Sequence, residues 1–125
     1  MPGGRETILL VEDNEIVRRT TYEMLEANGY QILVAASPGD ALLICEQHTD
    51  PIHLLLTDVV MPKMNGRELA DRLGKLRPTM KVLFMSGYTD DAVVYNGVRN
   101  DQRLLLQKPF TAITLAQKVR AMLDV

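Results

Sequence analysis

Tryptophan is missing from this sequence and cysteine occurs once, at Cys45. A lone cysteine excludes an internal disulfide framework. Aromatic residues amount to 5%, which disfavours a platform that binds nucleic acid by stacking bases. No apolar run approaches the ~20 residues needed to cross a bilayer. Met1-Pro-Gly-Gly-Arg-Glu6 has no apolar stretch of the signal-peptide kind. A net charge of −2 gives no general attraction to nucleic acid or to an anionic membrane surface. Also missing are the G-x-x-x-x-G-K-[ST], G-x-G-x-x-G, C-x-x-C and H-E-x-x-H patterns. Together these absences fit a cytoplasmic protein whose domain touches neither nucleic acid nor membrane.

What is present is an ordinary globular composition. Apolar residues make up 46% of 125, enough for one compact domain with a real core. Two kinds of segment alternate. Thr7–Val11, Gln31–Ala35, Ile52–Thr57, Lys81–Met85 and Leu104–Leu106 are short and apolar, mostly without polar alternation. Strands covered on both faces read this way, as in parallel sheets. Between them lie helical patterns. Asn14 caps the first, whose Val17, Thr21, Met24 and Leu25 share a face and whose stop is Gly29. Ser37-Pro38 opens the second, with Asp40 placed for a capping box. Asn65-Gly66 opens the third, which stops before Pro78. Asp90 or Asp91 opens a short fourth, and Thr111 caps the fifth, with Leu115, Val119, Met122 and Leu123 as its apolar stripe. The order is βα repeated five times, which predicts an open parallel sheet with helices on both faces. Residues 1–6 are expected to be a flexible end and 7–125 the domain.

Ligands of open α/β sheets bind beyond the carboxyl ends of the strands. Four of the five strands deliver a polar or charged side chain there: Glu12-Asp13, Asp58, Ser86-Gly87 and Lys108-Pro109. Three carboxylates on one rim repel one another unless a proton or a cation intervenes. Hard oxygen donors without His or Cys suit Mg²⁺. A lysine and a hydroxyl aimed at the same point add donors for an anion, so the set suits phosphoryl transfer onto a carboxylate. Each residue also has a plain reading: Glu12-Asp13-Asn14 as a helix cap, Asp58 and Ser86-Gly87 as turns, Lys108 as a solvated charge. Their joint placement on one rim is what favours a site. Cys45 reads as a small core residue, and His48 and His53 as surface or edge positions.

Four motifs carry a family resemblance: Ile8-Leu-Leu-Val-Glu-Asp-Asn14, Leu54-Leu-Leu-Thr-Asp-Val-Val-Met-Pro-Lys-Met-Asn-Gly66, Met85-Ser-Gly-Tyr-Thr89 and Leu106-Gln-Lys-Pro-Phe110. From Thr7 to Leu123 the chain resembles the CheY-like receiver domains of response regulators. The resemblance implies a flavodoxin-like (βα)5 fold with strand order 2-1-3-4-5. It implies Asp58 as phosphoacceptor, Asp13 and Asp58 as ligands of Mg²⁺ (or Mn²⁺) with the Val60 backbone carbonyl, and Glu12 acting through metal-bound water. Ser86 and Lys108 would bind the phosphoryl group, with Gly87 and Tyr88 in the switching loop and a cis peptide before Pro109. The implied donor is a phosphohistidine on a histidine kinase or a histidine phosphotransfer domain. Such a domain catalyses its own phosphorylation and slow dephosphorylation and is not a separate enzyme. One position departs from the family: where an aromatic residue often stands three before the lysine, this chain has Leu105. Ser86-Gly-Tyr-Thr-Asp-Asp91 and Leu105-Leu-Gln-Lys-Pro-Phe110 look most like receivers attached to hybrid sensor histidine kinases, so the parent chain is expected to be such a kinase or a stand-alone receiver. Oligomeric state is left open, a monomer being the simplest expectation.

Two rivals have sequence arguments of their own: a separate enzyme, either a P-loop nucleotidase or a dehalogenase-type phosphatase, and a degenerate receiver. Leu54-Leu-Leu-Thr-Asp58 resembles a Walker B strand, but no Gly-Lys-Ser/Thr loop follows the first strand. A dehalogenase-type phosphatase would want Asp-x-Asp where Glu12-Asp13-Asn14 stands. A degenerate receiver serving only as an interaction surface is at odds with the complete set Glu12, Asp13, Asp58, Ser86 and Lys108.

Overall fold

A computed structural model describes residues 3–87 and 105–125. Within them run β1 (Thr7–Val11), α1 (Glu15–Ala27), β2 (Gln31–Ala35), α2 (Pro38–Gln47), β3 (Leu54–Asp58), α3 (Gly66–Leu76), β4 (Lys81–Ser86), β5 (Leu105–Gln107) and α4 (Ala112–Leu123). All strand pairs are parallel and the sheet order is β2-β1-β3-β4-β5, the order the resemblance implies. The helix expected to open at Asp90 or Asp91 lies outside the described residues.

Side chains of a strand alternate between faces, and here both faces are covered. Ile8, Leu10, Leu54, Leu56, Leu83 and Met85 pack on one side with Leu25 of α1 and Leu115, Val119 and Met122 of α4. Leu9, Val11 and Leu55 pack on the other with Ala41 and Cys45 of α2 and Leu69 and Leu73 of α3. That is why β1 and β3 read as unbroken apolar runs. β2 is an edge strand and differs, with Gln31 and Val34 exposed.

The helices begin where short polar side chains satisfy the free N–H groups of the first turn. Asn14 accepts from Val17 N, Ser37 from Asp40 N and Thr111 from Thr114 N. The complete capping box belongs to α3, where Asn65 and Glu68 bond reciprocally. At α2 the Ser37 half forms; the return bond expected of Asp40 does not, its side chain being one methylene shorter than Glu68. Gly29, with φ 95°, ends α1 in a backbone conformation that favours glycine. Residues 3–6, expected to be loose, are tied down. Gly4 N donates to Asn28 O, Gln31 N donates to Glu6 O, and Arg120 bonds both Gly3 O and the Glu6 carboxylate.

Candidate functional site

The register of the sheet assembles the site. Val11 pairs with Thr57, so Glu12 and Asp58 leave β1 and β3 at the same level. Asp58 pairs with Met85, and Ser86 with Gln107, which places Ser86 and Lys108 just beyond. Lys108 N donates to Ser86 O at 2.7 Å, fixing that end of β5, and the Lys108–Pro109 peptide is cis.

The sequence-chosen residues meet. One carboxylate oxygen from each of Glu12, Asp13 and Asp58 lies within 4.8 Å of the others. Lys108 Nζ stands 2.5 Å from Asp58 Oδ1 and 3.1 Å from Glu12 Oε2. Glu12, Asp58 and Ser86 are buried, whereas Asp13 faces solvent. Gly87 lies next to Ser86, whose hydroxyl donates a long 3.4 Å bond to its carbonyl. Val60 is exposed two residues past Asp58. Leu105 sits apart from this cluster, packed with Val59 and Phe84, and Tyr88 lies outside the described residues.

Two residues have supporting roles that sequence reading missed. Gly66 looks like a helix-opening residue, yet a Cβ there would lie 2.0 Å from the carbonyl oxygen of Asp58, and its N–H donates to Val59 O at 2.7 Å. The start of α3 therefore rests directly on the backbone of the central aspartate, an approach only glycine permits. The second is Arg18, whose Nη1 donates to the Glu12 carbonyl at 2.8 Å; nothing in its i, i+4 pattern signals that.

The charges are not balanced. Burial, reinforced by Glu12, pushes the Asp58 carboxyl up to about 8, although Lys108 pulls the other way. Burial also opposes the charge on Lys108, but its two carboxylate partners outweigh it and hold its pKa above the usual lysine value. One ammonium thus serves two buried carboxylates beside a third. The donor set of clustered carboxylate oxygens without nitrogen or sulfur fits a hard divalent cation.

A family model described as the response regulator receiver domain matches residues 8–120. The chain belongs to this family. The receiver domain is 39% identical over 122 residues to the sensor kinase CckA of Brucella abortus (strain 2308), covering 98% of this chain but 13% of that protein. It is 34% identical over 116 residues to the response regulator receiver protein CpdR of the same organism, covering 93% of this chain and 95% of that one. Among solved structures, the receiver domain of the hybrid histidine kinase CckA superposes with a TM-score of 0.76 at 34% identity, covering 94% of this chain and 98% of the other. The receiver domain is therefore a two-component signalling module of CheY-like fold, related to hybrid-kinase receivers. Among the described residues no helix is long and apolar enough to cross a membrane.

Proposed function

We propose that this receiver domain takes a phosphoryl group from the phosphohistidine of a histidine kinase or a histidine phosphotransfer domain onto Asp58, in a reaction that needs Mg²⁺ or Mn²⁺. The observation that carries this is the meeting of three carboxylates and Lys108 at the end of the central strand. Asp13, Asp58 and the Val60 carbonyl would hold the metal, with Glu12 acting through water. Bound there, the cation neutralises charge on the transferring group.

The chain's own groups do the rest. An Asp58 carboxylate oxygen attacks phosphorus, the bond from phosphorus to the histidine nitrogen breaks, and an acyl phosphate results. Lys108, already 2.5 Å from Asp58, pairs with a phosphoryl oxygen. Ser86, buried at the end of β4, donates its hydroxyl to another, and its movement carries Gly87 and Tyr88. Leu105 brings no ring or hydroxyl to this exchange. Its place against Phe84 and Val59 supports a smaller rearrangement at β5 than an aromatic would give. The domain promotes its own phosphorylation and slow dephosphorylation, acts in the cytoplasm, and serves a hybrid kinase or stands alone.

The test is incubation with acetyl phosphate, with and without Mg²⁺, followed by intact mass measurement. Wild type should gain one phosphoryl group only with the metal, and Asp58→Asn should gain none. Equal labelling of the variant, or labelling in excess chelator, refutes the assignment.

A further inference from the structure

Asp13 is the exposed member of the acidic cluster, and among the described residues nothing bonds its carboxylate. Its aim is set through the backbone. On one side Glu12 is pinned: its N–H donates to Ala35 O at 3.1 Å, and its carboxylate takes Lys108 Nζ at 3.1 Å and Asn14 N at 3.3 Å. On the other side Asn14 caps α1 through Val17 N at 3.0 Å.

Between them lies the Glu12–Asp13 peptide. Its carbonyl accepts the Arg18 Nη1 donor at 2.8 Å. The sheet has no rung to offer, because β2 ends at Ala35 and the chain turns at Ser37 into the cap of α2. A side chain one turn into α1 stands in for the missing strand. A bond from a charged guanidinium is stronger than a neutral one, and it fixes the plane of the peptide from which Asp13 departs.

We propose that Arg18 is a positioning residue for the cation site: it orients the Glu12–Asp13 peptide so that the Asp13 carboxylate converges with that of Asp58. This rests on the reading that the cluster holds a divalent cation. Supporting groups of this kind change metal affinity by roughly 10- to 100-fold. Charge alone predicts the opposite sign, since removing a cation near the cluster favours a second cation.

The experiment is titration of the full chain with Mn²⁺, following free ion by electron paramagnetic resonance, beside melting curves without metal. Arg18→Met keeps the stem and loses the donor; it should weaken Mn²⁺ binding on the order of 10-fold with the metal-free fold intact. Arg18→Lys should recover part of the loss. Unchanged or tighter binding by Arg18→Met overturns the proposal. Should Arg18→Met fail to fold, Arg18→Lys decides: weaker binding supports the role and wild-type affinity refutes it. Wild type that takes no Mn²⁺ refutes the metal reading itself and this role with it; wild type that binds while the variants match it refutes this role alone.

Discussion

The two ends of the sheet each hold a carboxylate beside a cation, and the two carboxylates are pushed in opposite directions. At the amino end Glu6 accepts from Arg120 Nη2 at 2.6 Å, and Arg120 also bonds Asp124 at 2.8 Å. The guanidinium lowers Glu6 to about 2, and Arg120 itself is held above its ordinary value, chiefly by Glu6 and then Asp124. At the carboxyl end Asp58 has a partner just as close and is nevertheless raised to about 8. Each cation has two carboxylate partners, so the difference is burial: Asp58 and its neighbour Glu12 are both buried and Glu12 raises Asp58 directly, whereas Asp124 at the other end is exposed. One end is a fastening open to solvent; the other holds its carboxylates in a buried cluster beside Asp13. Both ends show short ion pairs, and the direction in which the carboxylate is pushed tells them apart.

The contrast can be broken first by metal. Mg²⁺ should raise the melting temperature of wild type and leave Asp13→Ala nearly unmoved, because a ligand that binds only the folded state stabilises by about 2.7 kcal/mol at a hundred times its Kd. Equal shifts in both proteins would place the cation elsewhere.

Next comes the charge of Asp58. A carboxyl raised in the folded state contributes stability that is full below its unfolded pKa and is lost as pH rises through its folded pKa. In chelator, wild type should therefore lose stability relative to Asp58→Asn between about pH 4 and pH 8. Across that range the variant should gain on wild type by more than about 1 kcal/mol, one pKa unit being worth about 1.4 kcal/mol. Urea denaturation at pH 5 and pH 8 measures this, and parallel pH profiles would mean that Asp58 is not strained. Glu6 should behave inversely, its contribution fading as pH falls from about 4.5 toward 2.

Arg120→Met tests the other end. It should cost about 1 kcal/mol, the pair being partly exposed, and leave the rate of Asp58 labelling unchanged. Altered labelling would show that the two ends are coupled. The last comparison separates the two glycines of α3. A methyl group added at Gly74 would have nothing within 4 Å, so Gly74→Ala should stabilise by about 0.5–1 kcal/mol. Gly66→Ala must push against the Asp58 backbone and should destabilise while slowing labelling. A neutral Gly66→Ala melt would mean that α3 can shift freely away from the site.

Much of this was legible in the sequence because parallel sheets leave a strong local signal. Leu9-Leu10-Val11 and Leu54-Leu55-Leu56 face two hydrophobic layers at once, and that cannot be written with alternating polarity. Helix starts were legible at Asn14, Ser37, Asn65 and Thr111 because capping is a local bond. The meeting of Glu12, Asp13, Asp58 and Lys108 followed from one rule, that each strand end reaches the same rim. What escaped depends on distant contacts. The Glu6–Arg120 pair spans 114 positions, so the first residues looked loose. Arg77 bonds the carbonyls of Cys45, His48 and Asp50 across the end of α2, and no helical pattern announces that. Gly66 reads as a cap until the Asp58 carbonyl is seen beneath it.

β1 carries a consequence for how such a chain can vary. Ile8 and Leu10 belong to one layer, Leu9 and Val11 to the other, and Glu12 follows at the level of Asp58. Exchanging one aliphatic side chain for another disturbs packing locally. Inserting or deleting a single residue would swap the two layers and slide the acidic pair off the rim in one stroke. β1 therefore acts as a ruler: its spelling is negotiable, but its length is not.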